Sequence, residues 1–206
     1  MKNLILIGAG GHAKSVADSI NKLEYELCGF IDSNKKGTHM GLPIWGTDLE
    51  DIPNYEEYCY FVSIGDVGYR KLWFDRIRNR RLSIINIIDS SAIISSGVKM
   101  GIGNFVGKMA VINADAEIGN NNVINTKALI EHECKVGDHN HLSTNSVING
   151  NVIVGNSVFL GSSSVCNGQL KIGSNAIIGS GSVIIKDIPE KVTVVGVPAR
   201  VIKRRD

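Results

Sequence analysis

From Ile88 to Ile184 every sixth residue is apolar, seventeen positions in succession, running from Ile88, Ile94 and Met100 through Ile130, Val136 and Leu142 to Ile172, Ile178 and Ile184. With 43% of the chain apolar, such a run arises by chance about once in a million trials at a given phase, so it is an internal repeat. The next position is Gly or Asn in twelve of the seventeen steps, among them Gly101, Gly107, Asn113, Gly119 and Gly137. Those two residue types tolerate positive φ. Each hexad therefore reads as a short strand followed by a sharp turn, with the positive φ expected at that Gly or Asn. A chain that turns every six residues coils, buries one apolar residue per hexad along its axis and pairs each strand with its equivalent in the next coil. That architecture is a parallel β-helix. The apolar-plus-Gly steps at Ile118, Val136, Val154 and Ile172 recur at eighteen residues.

The repeat fills roughly half of the 206 residues and leaves an N-terminal segment long enough for a core of its own. Two domains are expected, 1–87 and 88–206, the second including a C-terminal tail. The first opens with an apolar run, Leu4 to Ile7, followed by Gly8-Ala9-Gly10-Gly11-His12-Ala13 and an amphipathic stretch through Val16, Ile20 and Leu23. A second strand, Leu27 to Ile31, ends at Asp32, and a third, Tyr60 to Ile64, ends at Gly65 and Asp66. This is a βαβ unit. Gly8, Gly10 and Ala13 fit the glycine-rich dinucleotide turn, and Asp32 lies about where a residue would meet a ribose hydroxyl. The segment has room for only three or four strands before residue 87, too few for a complete nicotinamide domain. A half-Rossmann unit suits a nucleotide-linked ligand, with its diphosphate near a helix N-terminus.

Composition closes several classes. The net charge is +2, and the basic runs Arg78, Arg80 and Arg81 on one expected helix and Lys203 to Arg205 carry no interleaved aromatics, so they read as solvated faces and no nucleic-acid partner is expected. The opening apolar run is only strand length, so neither a signal peptide nor a membrane span is expected. Cys28, Cys59, Cys134 and Cys166 show no paired spacing, which points to a reduced, cytoplasmic chain.

One stretch breaks the repeat. Glu131 stands where Gly or Asn is usual and is followed by His132 and Glu133. A break in a regular rule is where function is expected. Histidine titrates near neutral pH and can take the proton from an attacking hydroxyl or amine, and Glu133 can hold the imidazole if a turn brings the two together. His132, His139 and His141 do not read as a metal set, because no carboxylate converges on them and half a coil separates the first from the last. The run Ser162 to Ser164 lacks a nucleophile elbow.

Taken in order, the Gly8-to-Ala13 turn with His12, the Gly-Phe-Ile-Asp strand ending at Asp32, the segment Ile130-Glu131-His132-Glu133-Cys134 and the C-terminal Val195-Gly196-Val197-Pro198-Ala199 resemble the bacterial hexapeptide-repeat sugar acetyltransferases, the family of sialic-acid O-acetyltransferases and nucleotide-amino-sugar N-acetyltransferases. The resemblance spans nearly the whole chain. It implies an α/β half-Rossmann domain followed by a left-handed β-helix with three hexads per triangular coil. It also implies acetyl-CoA as cosubstrate with no metal, and a homotrimer with sites between subunits, serving bacterial surface-polysaccharide biosynthesis. His132 is then the general base, supported by Glu133. Gly150, eighteen residues on, stacks one coil above His132, about 4.8 Å along the axis, and its N–H is the candidate oxyanion donor. Gly10, Gly11, His12, Asp32, Ser33 and Gly65 are implied to bind the sugar substrate, and His141, Ser162 and Ser180 coenzyme A. His141 lies nine residues from His132, half a coil away across a prism with sides of ~20 Å at strand rise. If both serve one site, they meet across a subunit boundary. The favoured substrate is a nucleotide-linked 4-amino sugar, with sialic acid O-acetylation as the alternative and a non-catalytic nucleotide-binding assembly factor as a further one.

Overall fold

The computed structural model describes residues 1–205. The N-terminal part is a six-stranded sheet built from β1 (Lys2–Ile7), β2 (Tyr25–Ile31), β3 (Thr38–His39), β4 (Leu42–Gly46), β5 (Cys59–Val62) and β6 (Ser83–Ile84), in the order β3-β4-β2-β1-β5-β6. All pairings are parallel except the β3–β4 hairpin. The three or four strands expected become six because two of them are only two residues long, too short to register as apolar runs. Alternation along β1 sorts its side chains: Leu4 and Leu6 pack with α1 (Gly11–Asp18), while Ile5 and Ile7 pack with α2 (Val67–Asn79). The first helix stops at Asp18, short of the expected amphipathic stretch, and Leu23 is 89% exposed. The second helix ends within its basic run: Arg78 is in its last turn, Arg80 is its cap and Arg81 turns to positive φ.

From Ile87 onward two-residue strands stack in parallel on three faces. Register is eighteen residues up to the strand ending at Ile184, as in Glu117 against Lys135 against Ile153, and changes only at the C-terminal strands, where Ile177 pairs with Thr193 and the last strand runs antiparallel. The first face runs from Ile87–Ile88 through Phe105–Val106, Val123–Ile124 and His141–Leu142 to the C-terminal strands Val192–Val195 and Arg200–Arg204. The second begins at Ile93–Ile94 and the third at Lys99–Met100. Of the seventeen ladder positions, those from Val106 to Ile184 are all buried in one continuous core. Ile94 and Met100 are only partly buried, and Ile88 is 40% exposed, because no coil lies beneath the first one. Ile87 belongs to both parts, pairing with Phe105 in the stack while its side chain joins the N-terminal core.

Positive φ does recur every six residues, but not where the Gly and Asn pattern places it. It falls two positions later, at Met109, Asp115, Asn121, Lys127, Glu133, His139 and onward to Asn175. The N–H of this residue donates to the coil before, as from Lys127 to the Lys108 carbonyl and from Glu133 to the Ala114 carbonyl, each 2.9 Å, which helps offset the left-handed backbone. Glycine at the earlier position answers a different demand. A Cβ on Gly137 would stand 2.8 Å from the Gly155 carbonyl oxygen in the next coil. Inside the stack, Asn86, Asn104, Asn122 and Asn140 form a column in which each Oδ1 accepts from the main-chain N–H one coil on, at 2.7 to 2.9 Å.

The first face is covered by the N-terminal part. Ile87, Phe105 and Val123 point outward from successive coils into the core shared with Ala9, Ala13 and Val16. Ser19 donates to buried Asp89 at 2.6 Å, and Lys108 pairs with Asp18. Gly137→Ala is therefore expected to destabilise the fold by about 1–3 kcal/mol through overpacking of successive coils, measured by chemical denaturation. A neutral substitution would show that glycine is not placed there for close approach.

Candidate active site

The sheet order places the chain's reversal between β1 and β5, and a cleft of about 550 Å³ opens at the carboxyl ends of these strands, where α/β sheets bind ligands. Gly8, at φ 101°, makes the turn out of β1, and a Cβ there would lie 2.8 Å from Ile64. Gly10 and Gly11 differ, because a Cβ on either meets nothing within 4 Å. Packing does not require glycine at these two positions, which lead into α1 with no side chain capping its N-terminus. Asp32 closes the turn: its carboxylate accepts from the main-chain N–H groups of Ala9 at 2.7 Å, Asn34 at 2.9 Å and Lys35 at 3.0 Å, bonds that hold its pKa below the ordinary value against the opposing cost of burial. Gly10, Gly11, His12, Asp32, Ser33 and Gly65 all line this one cleft, together with Tyr69 and Trp73.

Below the cleft two imidazoles meet. His12, at the start of α1, packs edge-on to Phe105 at 5.3 Å and lies 6.3 Å from His141 between ring centroids. Its Nε2 is sealed from solvent without a partner. His141 projects outward from the first face in the column Phe105, Val123, His141, Phe159, a histidine in a series otherwise apolar. Its Nδ1 is 3.2 Å from the Gly65 carbonyl. Burial, and then the Arg70 cation, push both imidazoles down to about 4.

Arg70 was not legible as a functional residue, yet it ties this region together. It is fully buried, and its guanidinium donates to five carbonyls: Ile64 and Gly65 beside the cleft, Asn121, and His139 and Asn140 in the next coil. Its signal was present in the helix stripe Arg70, Trp73, Phe74, Ile77, whose spacing puts arginine on the buried face of α2.

His132 lies elsewhere, in the exposed turn between Leu129–Ile130 on the second face and Lys135–Val136 on the third. The positive φ of Glu133 bends the chain directly after His132 and brings the carboxylate to within 3.0 Å of Nδ1. Gly150 stacks against the opposite edge of the ring: a Cβ on it would be 2.6 Å from His132 Nε2. Among the described residues the Gly150 N–H has no hydrogen-bond partner. Ser162 and Ser180 are exposed and sit one coil apart at the edge between the first and second faces, where the Gly181 N–H donates to the Ser162 carbonyl at 2.9 Å. The His132 cluster and the His12–His141 pair therefore lie at different places on one chain. His139 is occupied by Asn121 at 2.8 Å, and no set of three metal-type ligands occurs among the described residues.

A family model, the PglD N-terminal domain, matches residues 3–77. The chain is 33% identical to PerB from Caulobacter crescentus, solved in complex with CoA and GDP-perosamine, with 98% of each chain covered and a TM-score of 0.91. A histidine variant of this perosamine N-acetyltransferase, in complex with the same two ligands, is matched at 32% identity over 98% of each chain with a TM-score of 0.93. The chain belongs to the hexapeptide-repeat sugar acetyltransferase family. Its fold is the half-Rossmann unit followed by the left-handed parallel β-helix of that family. A further member, the acetyltransferase domain of PglB from Neisseria gonorrhoeae in complex with acetyl coenzyme A, is 29% identical, with 98% of this chain and 99% of that one covered and a TM-score of 0.92. Among curated proteins, the uncharacterized protein L142 of Acanthamoeba polyphaga mimivirus is 36% identical over 99 residues, 48% of this chain, which spans about a fifth of that protein's length.

The two lowered imidazoles fix a pH dependence. His12 and His141 stay neutral in the folded chain down to about pH 4, whereas in the unfolded chain they protonate near 6.5. Between these values the unfolded chain binds more protons, so their contribution is complete above pH 6.5 and is lost as pH falls to 4, by at most about 3 kcal/mol per histidine. Chemical denaturation across this window is expected to show a smaller loss in His12→Gln and His141→Gln than in the parent. Equal slopes would contradict the burial of neutral imidazoles.

Proposed function

We propose that the chain transfers the acetyl group of acetyl-CoA to the amine of a nucleotide-linked 4-amino sugar. The observation that carries this reading is the corner formed by His132, Glu133 and Gly150: an imidazole held at Nδ1 by a carboxylate, with an unpartnered main-chain N–H above its other edge. The neutral sugar amine attacks the thioester carbonyl while His132 Nε2 takes its proton, and the Gly150 N–H donates to the developing oxyanion. Collapse of the tetrahedral intermediate expels the coenzyme A thiolate, which takes the proton back from His132. The products are the N-acetylated sugar and free coenzyme A, with no covalent enzyme intermediate.

In this reading the nucleotide occupies the cleft at the carboxyl ends of β1 and β5. Gly10 and Gly11 allow a diphosphate to approach the uncapped start of α1. His12, Asp32, Ser33 and Gly65 complete the substrate side, and His141, Ser162 and Ser180 line the path of coenzyme A. Because His132 and this cleft lie on different edges of one β-helix, a neighbouring copy supplies the missing half. The second face supports a trimer: Ile93, Val111, Leu129, Val147, Val165 and Val183 form an outward column of apolar residues, with Ile93 62% exposed. His132 sits at the border of that column. The four unpaired cysteines fit a cytoplasmic enzyme.

The assay is release of free thiol from acetyl-CoA in the presence of UDP-, dTDP- and GDP-linked 4-amino sugars, sialic acid and its CMP form. His132→Ala is expected to lower kcat by about 10²–10⁴, and Glu133→Gln by less. Gly150→Ala places a methyl against the imidazole and blocks turnover. Unchanged thiol release in His132→Ala would sink the general-base role, and turnover of sialic acid alone would replace the amino sugar as acceptor.

A further inference from the structure

Two donors converge on the carbonyl of Gly65. Arg70 Nη1 lies 3.0 Å away and His141 Nδ1 3.2 Å away. A carbonyl oxygen only accepts, and it has two lone pairs, so Nδ1 must carry its proton for this contact to be a hydrogen bond. In the neutral ring that leaves Nε2 unprotonated, with a lone pair and no hydrogen-bond partner among the described residues. The geometry points to Arg70 as a positioning residue that fixes His141 in its Nδ1–H form and thereby presents Nε2 as a hydrogen-bond acceptor at the junction of the two domains.

Arg70 suits this task because all of its donors are spent on main-chain oxygens and none on a carboxylate. The same guanidinium holds the Gly65 carbonyl from one side and the His139 and Asn140 carbonyls, immediately before His141 in the chain, from the other. It thus sets both ends of the His141–Gly65 contact. The charged and titratable groups acting on His141 are Arg70 from α2 and His12 from α1. The flanking strands contribute Val123 and Phe159, neither of them charged. A protonated ring would donate at both nitrogens and lose its acceptor, and the Arg70 cation opposes that protonation. The ligand group that fits Nε2 is consequently an N–H or O–H donor, such as an amide N–H of the pantetheine arm. This last step rests on the proposed coenzyme contact of His141; the tautomer itself does not.

Nitrogen-edited NMR of the imidazole signals tests both levels in the full-length protein. In the parent, His141 is expected to show a protonated Nδ1 and an unprotonated Nε2 that resists titration down to about pH 4. In Arg70→Lys, which cannot span the same five carbonyls, the Nδ1–H population is expected to fall and KM for acetyl-CoA to rise by about tenfold, the loss of one good hydrogen bond. A purely structural role would lower the melting temperature and leave the tautomer unchanged. A parent spectrum with the proton on Nε2 overturns the proposal, as does a folded Arg70→Lys variant with unaltered His141 signals. Should Arg70→Lys fail to fold, the parent tautomer alone decides. Absence of acetyl transfer by the parent would remove the proposed function while leaving the tautomer measurement standing.

Discussion

Eighteen residues per coil is the constraint on which the rest of the structure depends. The main-chain ladder repeats it from coil to coil, as when Gly119 donates to Val136 and Gly137 to Val154, at 2.8 and 2.9 Å. A shift of one residue would throw the buried column from Val106 to Ile184 out of the core and break the asparagine column beside it. The same register also places chemistry. It sets Gly150 over His132, His141 between Val123 and Phe159, and Ser180 over Ser162. In the proposed enzyme, function is a matter of which edge of the prism a residue occupies.

The hexad has separate solutions for bending and for stacking. Bending uses the left-handed position two residues beyond the Gly and Asn, which is filled by Met109, Lys127 and Glu133 as well as by Asn. Stacking needs a missing side chain where successive coils approach, and there glycine recurs. This division explains how Glu133 can serve His132. The φ of 59° that closes the hexad is also the turn that folds the carboxylate back onto the preceding imidazole.

Much of the fold was legible because its two periods are strict. The step of six named the β-helix, and the count of eighteen placed Gly150 above His132 before any coordinates. The position of positive φ was misjudged because composition marks glycine without saying whether it is needed for a dihedral angle or for space. Strands β3 and β6 escaped notice because two residues carry no period. At the candidate site, the glycine turn, His12, Asp32 and the His132–Glu133 pair stood out by sequence. Arg70 did not, since the helix stripe signals its burial but not its partners, three of which lie 51 to 70 residues away in sequence. His141 was noticed, but its contact with His12 and Gly65 was not, because these lie on opposite sides of the domain junction.

The proposed sharing of one site between copies makes the account testable at the level of assembly. One chain offers the His132 corner on one edge and the cleft with the His12–His141 pair beneath it on another, and the proposed enzyme exists only where neighbouring copies bring them together. The most direct measurement mixes His132→Ala and His141→Ala protomers, each expected to be impaired alone, by joint refolding or co-expression, and follows thiol release from acetyl-CoA at low acetyl-CoA concentration. A shared site predicts that mixed assemblies regain activity, because some interfaces join an intact corner to an intact cleft. Activity that stays at the level of the separate variants in verified mixed oligomers would contradict it and place the whole site within one chain.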